Sequence, residues 1–447
     1  MPYIVAIIAG ISGFLFGYDE GVIAGALSGL RHEFTVSPLL EGCMTAAVPF
    51  GALFGSLAGG WLADRYGRRG ALILAGILFS AGAAVSSLAW DCTSLTTARL
   101  AIGLAIGLAA VAAPLYISEN APARHRGMLV SFYQLAITLG ILGAYIAGYG
   151  LEGSWRTMFA IGMAPGVVLA AAMTTMHDTP RWLMLRGRTE DAHAALIQNG
   201  LAGQANAELQ AIRRSIAATP RAARWSALFS RRVLPATIVA VGLFVLQQLS
   251  GINAVIYYAP LVFREAGFDS HGAQLLATIG IGVVNVAMTL VSMALIDRIG
   301  RRRMLYIGFV GAALSLTVIA CAAASDSPWL NAVAFAGLLA YIAAFAISIG
   351  PLPWLMMAEI FPIDVRPLGM GLASIANWTF NALVVFAFPA LLGGIGLAGV
   401  FAGFAIACLV GVAFTWALVP ETSGASLEDI EAQLSSGERF RDLARAA

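Results

Sequence analysis

Asp64-Arg65-Tyr66-Gly67-Arg68-Arg69 recurs, with one aromatic-to-aliphatic change, as Asp297-Arg298-Ile299-Gly300-Arg301-Arg302. One copy follows the second apolar stretch of the chain and the other follows the eighth, so the repeat marks equivalent points in two halves. A second matched pair lies further along. Glu119 and Arg126 stand seven residues apart at the end of the fourth stretch, and Glu359 and Arg366 keep that separation after the tenth. Taken singly, a Gly-Arg-Arg turn is an ordinary cytoplasmic anchor, and an exposed Glu/Arg pair contributes little energy. Recurrence at equivalent places points instead to a cytoplasmic gate formed by Asp64, Arg68, Glu119, Arg126, Arg181, Arg301, Glu359 and Arg366. Such a clasp is expected to bridge the halves when the inside is closed.

Outward from these markers, segments of about 20 apolar residues, the length that crosses the hydrocarbon core, fall near 3–29, 39–63, 70–90, 95–118, 128–150, 156–176, 232–263, 272–296, 304–324, 330–357, 367–392 and 396–419. The reading is an all-α membrane protein with twelve transmembrane helices in two six-helix halves, 1–180 and 232–420. Two such repeats are the architecture of a transporter that rocks about a central site. The stretch 181–231 mixes Ala, Leu, Arg, Glu and Gln with helical periodicity and is divided by Pro220, so amphipathic helices outside the membrane are expected there. Residues 421–447 are expected to form a tail.

Composition agrees with this reading. Hydrophobic residues make up 59% of the chain and charged residues 11%, far from the balance of soluble domains. All 26 basic residues are arginine and the net charge is +2, which gives no reason to expect nucleic acid as a partner. Basic residues in short loops stay cytoplasmic. Arg65, Arg68, Arg69, Arg124, Arg126, the 181–232 group, Arg298, Arg301 to Arg303, Arg366 and the tail arginines share one side, against Arg31, Arg156 and Arg264 on the other. Both termini and the linker are therefore expected in the cytoplasm and the spans in the cell (inner) membrane, with no cleavable signal peptide. Trp61, Trp90, Trp155 and Trp329 lie near span ends and read as interfacial anchors. Cys43, Cys92, Cys321 and Cys408 stand singly, without metal or redox spacing, and the five histidines lack ligand spacing; no metal and no cofactor is implied.

Within the spans two charges stand out, Asp19 in the first and Arg99 in the fourth. A charge at mid-membrane costs roughly 2.5–3.5 kcal/mol on insertion scales, so such residues face protein or water and take a partner. Glu20 follows Asp19, but neighbouring helix positions point about 100° apart, so it is expected to face water in an outer vestibule. A second chemistry is carried by amides. Gln247, Gln248 and Asn253 lie on one span, where Gly251 relaxes the backbone, and Gln134, Asn285, Asn377 and Asn381 lie on three others. Amides both donate and accept, which suits a substrate covered in hydroxyls, and Trp354 and Trp378 offer flat faces for ring carbons. Intramembrane amides also serve simply to bond helices, at roughly 0.6 kcal/mol each.

Gly13-Phe14-Leu15-Phe16-Gly17-Tyr18-Asp19, Gln247-Gln248-Leu249-Ser250-Gly251-Ile252-Asn253, Gly350-Pro351-Leu352-Pro353-Trp354, Asn377-Trp378 and Pro420-Glu421-Thr422-Ser423-Gly424, together with the loop repeat, resemble the sugar porter family of the major facilitator superfamily from about Gly13 to Glu431. The resemblance implies a monosaccharide as substrate, a functional monomer in the lipid bilayer, and no enzymatic activity. It also implies proton coupling, since proton symporters of the family have an aspartate where this chain has Asp19, opposite the fourth-helix arginine. The alternatives are a uniporter that uses Asp19 and Arg99 only as a gate latch, and a sugar-binding membrane sensor. Departures exist. The family's Pro-Glu-Ser-Pro-Arg is His177-Asp178-Thr179-Pro180-Arg181 here, Ala98 replaces a glycine, Gly162 replaces a second acid of the xylose symporters, and Met293 stands at the repeat position of Gly60, which questions a close helix contact there. Ile141, a glutamine in the xylose porters and an isoleucine in glucose facilitators, leans toward a glucose-like hexose.

Overall fold

The computed structural model describes residues 2–121, 126–151, 154–218, 224–325, 327–362 and 364–423. Arg124, Pro220 and most of the expected tail lie outside them. All elements described are helical: α1 (Pro2–Glu33), α2 (Pro38–Ser87), α3 (Cys92–Asn120), α4 (Arg126–Gly150), α5 (Trp155–Thr174), α6 (Pro180–Leu185), α7 (Thr189–Gln198), α8 (Ala205–Ala218), α9 (Leu234–Leu249), α10 (Ile252–Glu265), α11 (His271–Ile299), α12 (Arg301–Ala324), α13 (Leu330–Ala344), α14 (Leu352–Ile360) and α15 (Arg366–Leu418). Packing divides the chain into Met1–Thr219 and Pro220–Ala447, here units 1 and 2.

Among the described residues, ten stretches are long and apolar enough to cross a membrane, and two of them hold two spans each. At about 1.5 Å per residue, the 50 residues of α2 and the 53 of α15 would be more than twice as long as the roughly 30 Å hydrocarbon core. Neither runs straight. Gly51 and Gly82 both pack against the 98–103 turn of α3, which requires the chain to double back between them, and it does so at Gly67, where φ is 89°. In α15, Phe388 and Phe404 stack with ring centroids 6.4 Å apart, although a straight helix would separate them by about 24 Å. The reversal is at Gly396 (φ 68°). Twelve passes result, six per unit. The seventh pass breaks at Gly251 into α9 and α10, and the tenth passes through a π-turn, Phe345–Ile349, before α14.

Unit 1 is held together by backbone proximity. On α1, Gly13, Gly17 and Gly21 recur every fourth residue and meet Tyr133, Ile137 and Ile141 of α4 in the same order; Gly25 continues the row to Gly148. The two helices therefore run parallel along a small-residue ridge. Gly51 and Gly55 of α2 meet Gly103 and Leu104 of α3 in the same way. Lipid supplies no hydrophobic drive for such association, so dispersion between closely apposed backbones has to. A Cβ at Gly60 would meet nothing within 4 Å, so this glycine is not required by a close helix contact.

Short helices α6 to α8 pack with unit 1. Leu183, Ala192 and Ala195 form their buried centre, with Trp182, Met184 and Leu209 against it. Trp61, Trp90 and Trp329 are exposed as span-end anchors should be, but Trp155 is buried. Its indole donates to Glu33 at 2.9 Å and its ring lies under Arg156. Each arginine placed on the less basic side is neutralised by a glutamate: Arg31 by Glu41 at 2.7 Å, Arg156 by Glu33, and Arg264 by Glu265 at 2.9 Å.

Because a Cβ at Gly17 would collide with the backbone of Ile137 while one at Gly60 meets nothing, Gly17→Val is expected to destabilise the protein by about 1–3 kcal/mol and Gly60→Ala to leave it unchanged. Thermal unfolding in detergent by intrinsic fluorescence checks the contrast.

Candidate functional site

Arg99 has no exposed surface and Asp19 only 2%. The guanidinium of α3 donates from Nη1 and Nη2 to the two carboxylate oxygens at 3.5 and 3.4 Å, and from Nε to the Met44 carbonyl of α2 at 3.0 Å. Its Cζ stands 5.7 Å from the centre of the Phe159 ring of α5, within cation–π range. One side chain thus ties four helices. The pair is looser than the about 2.7–2.9 Å of a tight charge-assisted bond, so it is held in place without being locked. Beside it, Tyr18 donates to the Met158 carbonyl at 2.8 Å, and Gly162 faces the Tyr18 ring. Glu20 does not face water; it is 5% exposed.

In unit 2 the amides form a chain. Asn253 Nδ2 donates to Gln248 Oε1 at 2.7 Å, and Gln248 Nε2 donates to Asn377 Oδ1 at 2.7 Å. One turn further along α15, the Oδ1 of Asn381 is buried without a hydrogen-bond partner. An unsatisfied buried acceptor costs about 1–3 kcal/mol, so this atom calls for a donor such as a hydroxyl. Gln247 is engaged differently. Pro351 and Pro353 have no N–H for the carbonyls of Ile347 and Ile349, four residues earlier. Ser292 Oγ takes the first at 2.8 Å and Gln247 Nε2 the second at 2.7 Å, with Gly350 O at 2.9 Å. Trp354, half-buried, sets its ring edge-on to Phe244 with centroids 4.7 Å apart, whereas Trp378 is fully buried. Asn285 is buried on α11, and Gln134 is half-buried on α4 of unit 1.

The loop repeat folds into the same corner twice. In unit 1, Asp178 accepts from the backbone N–H of Arg68 at 3.0 Å and of Thr179 at 2.8 Å, against Gly67. Arg68 reaches Glu119 at 3.1 Å and Asp64 at 3.0 Å, and Thr179 donates to Glu119. In unit 2, Glu421 accepts from Arg301 N at 2.8 Å and Arg302 N at 3.1 Å, against Gly300 (φ 92°). Arg301 reaches Glu359 at 3.2 Å, and Thr422 donates to Glu359. A side chain at Gly67 or Gly300 would displace that carboxylate and force a φ that only glycine adopts freely. Burial pushes the Asp178 carboxyl upward, against the backbone N–H groups of Thr179, Arg69 and Arg68 and the Arg68 guanidinium, which draw it down.

The glutamates therefore pair with the arginine of the loop repeat inside their own unit. Arg366 donates from Nε and Nη2 to the Phe361 carbonyl at 3.1 Å, Arg181 is half-buried at the start of α6, and the side chain of Arg126 lies outside the described residues. From the sequence, Asp178 and Thr179 are expected to keep an arginine clamp despite the changed motif, whereas Glu421 and Thr422 read only as part of the closing motif and none of the four as a gate residue. Their signal was present as an acid-Thr dipeptide after the sixth and the twelfth span.

The profile of the sugar (and other) transporter family matches residues 5–434. The chain belongs to that family. It is 36% identical to the D-xylose transporter of Levilactobacillus brevis over 97% of this chain and 96% of that one. It is also 36% identical to the galactose-proton symporter of Escherichia coli K12, over 99% and 96%. Among solved structures, the inward-open xylose transporter XylE of E. coli superposes with a TM-score of 0.85 at 30% identity, covering 97% of this chain and 99% of that one. The fold is thus that of a multi-pass major facilitator transporter, and the activity to be explained is transport rather than catalysis.

Arg68 and Glu119 are both largely buried, whereas Arg188 and Asp191 are exposed. Arg68→Ala is expected to lose about 3 kcal/mol and Arg188→Ala less than about 1 kcal/mol, read from thermal unfolding of the two variants side by side.

Proposed function

We propose that this protein is a proton-coupled monosaccharide symporter of the cell membrane, with both termini cytoplasmic, that works by alternating access and carries a hexose resembling glucose. The observation that carries the reading is the fully buried Asp19–Arg99 pair. An aspartate can occupy an apolar interior either ionised against a guanidinium or protonated, and a loosely held pair lets a conformational change alternate between the two. Relatives named for xylose and for galactose with a proton support the class of cargo and the coupling. Ile141, buried where α4 meets α1, is what favours a hexose.

Sugar recognition in unit 2 falls to the Asn253–Gln248–Asn377 chain and the unsatisfied Asn381 oxygen, with Trp354 as a ring face and Asn285 as a further amide; Gln134 is the candidate amide of unit 1. Gln247 holds the Ile349 carbonyl freed by Pro353 and the Gly350 carbonyl beside it, next to Gln248, and Trp378 is fully buried. The repeated corner of each unit is assigned to the cytoplasmic gate, Asp64 bonding Arg68 in the first of them, and Arg126, Arg181 and Arg366 are the further gate candidates.

Gln248→Ala interrupts the amide chain and is expected to weaken sugar binding by about 1–3 kcal/mol, roughly five- to 150-fold in Kd, measured by calorimetry. Asp19→Asn mimics the protonated state, so counterflow of labelled sugar in proteoliposomes should persist while accumulation driven by an inward pH gradient disappears. Accumulation that survives in Asp19→Asn rules out coupling through Asp19 and leaves the uniporter reading. Running both assays over a panel of pentoses, hexoses and polyols identifies the cargo.

A further inference from the structure

Arg213, Arg214, Arg221, Arg224, Arg231 and Arg232 fall within 209–263, a stretch without a single aspartate or glutamate. The last three lie directly before the seventh pass, which starts at Leu234. There the chain makes a 3-10 turn, Trp225–Phe229, that packs on α9 and α15. Leu228 is fully buried and its carbonyl accepts from Thr237 Oγ1 of α9 at 3.0 Å. Ser230 then reverses the chain, its carbonyl accepting from Val233 N at 3.0 Å and Leu234 N at 2.9 Å. The turn is therefore fixed to the end of the span instead of trailing from it.

What the fixed turn presents outward is apolar and cationic at once. Trp225 and Phe229 are 51% and 62% exposed, and Arg224 and Arg231 are exposed on either side of them. Among the described residues neither arginine has a hydrogen bond or an ion pair. Glu359 and Glu421, at the same end of unit 2, are already bonded in the repeated corner, so they do not neutralise this face. Two large aromatic side chains within a few residues of a span end lie at headgroup depth, where amphipathic rings are favoured. Guanidinium forks at that depth match the unshared oxygens of a phosphodiester. Clustered arginines beside a span attract anionic headgroups.

We propose that residues 224–232 form a docking surface for anionic phospholipid, with Arg224 and Arg231 pairing with lipid phosphate while Trp225 and Phe229 enter the interface beside them. The occupant is a lipid and not a free anion because half of the surface is aromatic and the segment ends where the span begins. The inference requires neither sugar nor proton movement, so it stands or falls apart from the transport reading.

The test is photocrosslinking of the full chain in nanodiscs of phosphatidylcholine that contain a trace of either phosphatidylglycerol or phosphatidylcholine bearing a diazirine near its ester linkages, with the labelled peptides mapped by mass spectrometry. Phosphatidylglycerol is expected to label 224–232 about 25-fold more than phosphatidylcholine does, about fivefold for each arginine, and the preference should vanish in Arg224→Gln/Arg231→Gln. Equal labelling by the two lipids in wild type overturns the proposal without any variant, since the aromatic residues alone then hold the segment at the interface. A preference that survives in the double variant also overturns it, because other arginines then select the lipid. So does a segment labelled by neither lipid, which would mean that protein, such as the acid-bearing stretch Glu428–Asp442, covers the face.

Discussion

An arginine sealed from water needs partners in the protein, and Arg99 finds them on three other helices. Asp19 of α1, the Met44 carbonyl of α2 and the Phe159 ring of α5 converge on it. Removing one partner of such a pair costs about 3–5 kcal/mol, so the packing of unit 1 is conditional on the pair. The glycine rows on α1 and α2 bring the neighbouring backbones close enough for these short reaches. A charge pair that supports helix packing makes that packing sensitive to one proton. On the proposed function, this sensitivity is what links proton movement to conformation.

The units share a corner and differ in their interiors. Gly67 with Asp178 and Gly300 with Glu421 repeat one solution: a carboxylate caps the backbone N–H groups of a new helix at a reversal that only glycine makes cheaply. Away from that corner the chemistry separates. Within its spans unit 1 buries the charges of Asp19, Glu20, Glu41 and Arg99, whereas the spans of unit 2 bury the amides of Gln247, Gln248, Asn253, Asn285, Asn377 and Asn381. Charges suit a proton and amides suit hydroxyls, so the proposed assignment places coupling mainly in one repeat and recognition mainly in the other.

The spans, the internal repeat and the buried Asp19 and Arg99 were legible in the sequence because each is a local pattern or a rarity in apolar surroundings. Other features depend on what meets what in space. Glu20 was expected to face water because helix geometry gives its direction but not the helix it meets. Trp155 looked like an interfacial anchor until Arg156 and Glu33 enclosed it. Glu119 and Glu359 suggested pairing with the arginines seven residues later, yet Arg68 and Arg301 arrive from distant loops and take them. The glycines of α1 were visible as residues, but their spacing of four becomes a packing ridge only when α4 supplies the opposite face. The bonds of Gln247 to the Ile349 and Gly350 carbonyls were not legible, because the prolines beside those carbonyls lie about a hundred residues away.

The central claim is that sugar and proton cross together. The most direct measurement is the internal pH of sealed, unbuffered proteoliposomes bearing the protein and loaded with a trapped pH dye, followed after sugar is added outside. The account predicts internal acidification that starts with sugar entry and stops when the sugar has equilibrated. Sugar entry confirmed by radiolabel with an unchanged internal pH would contradict it.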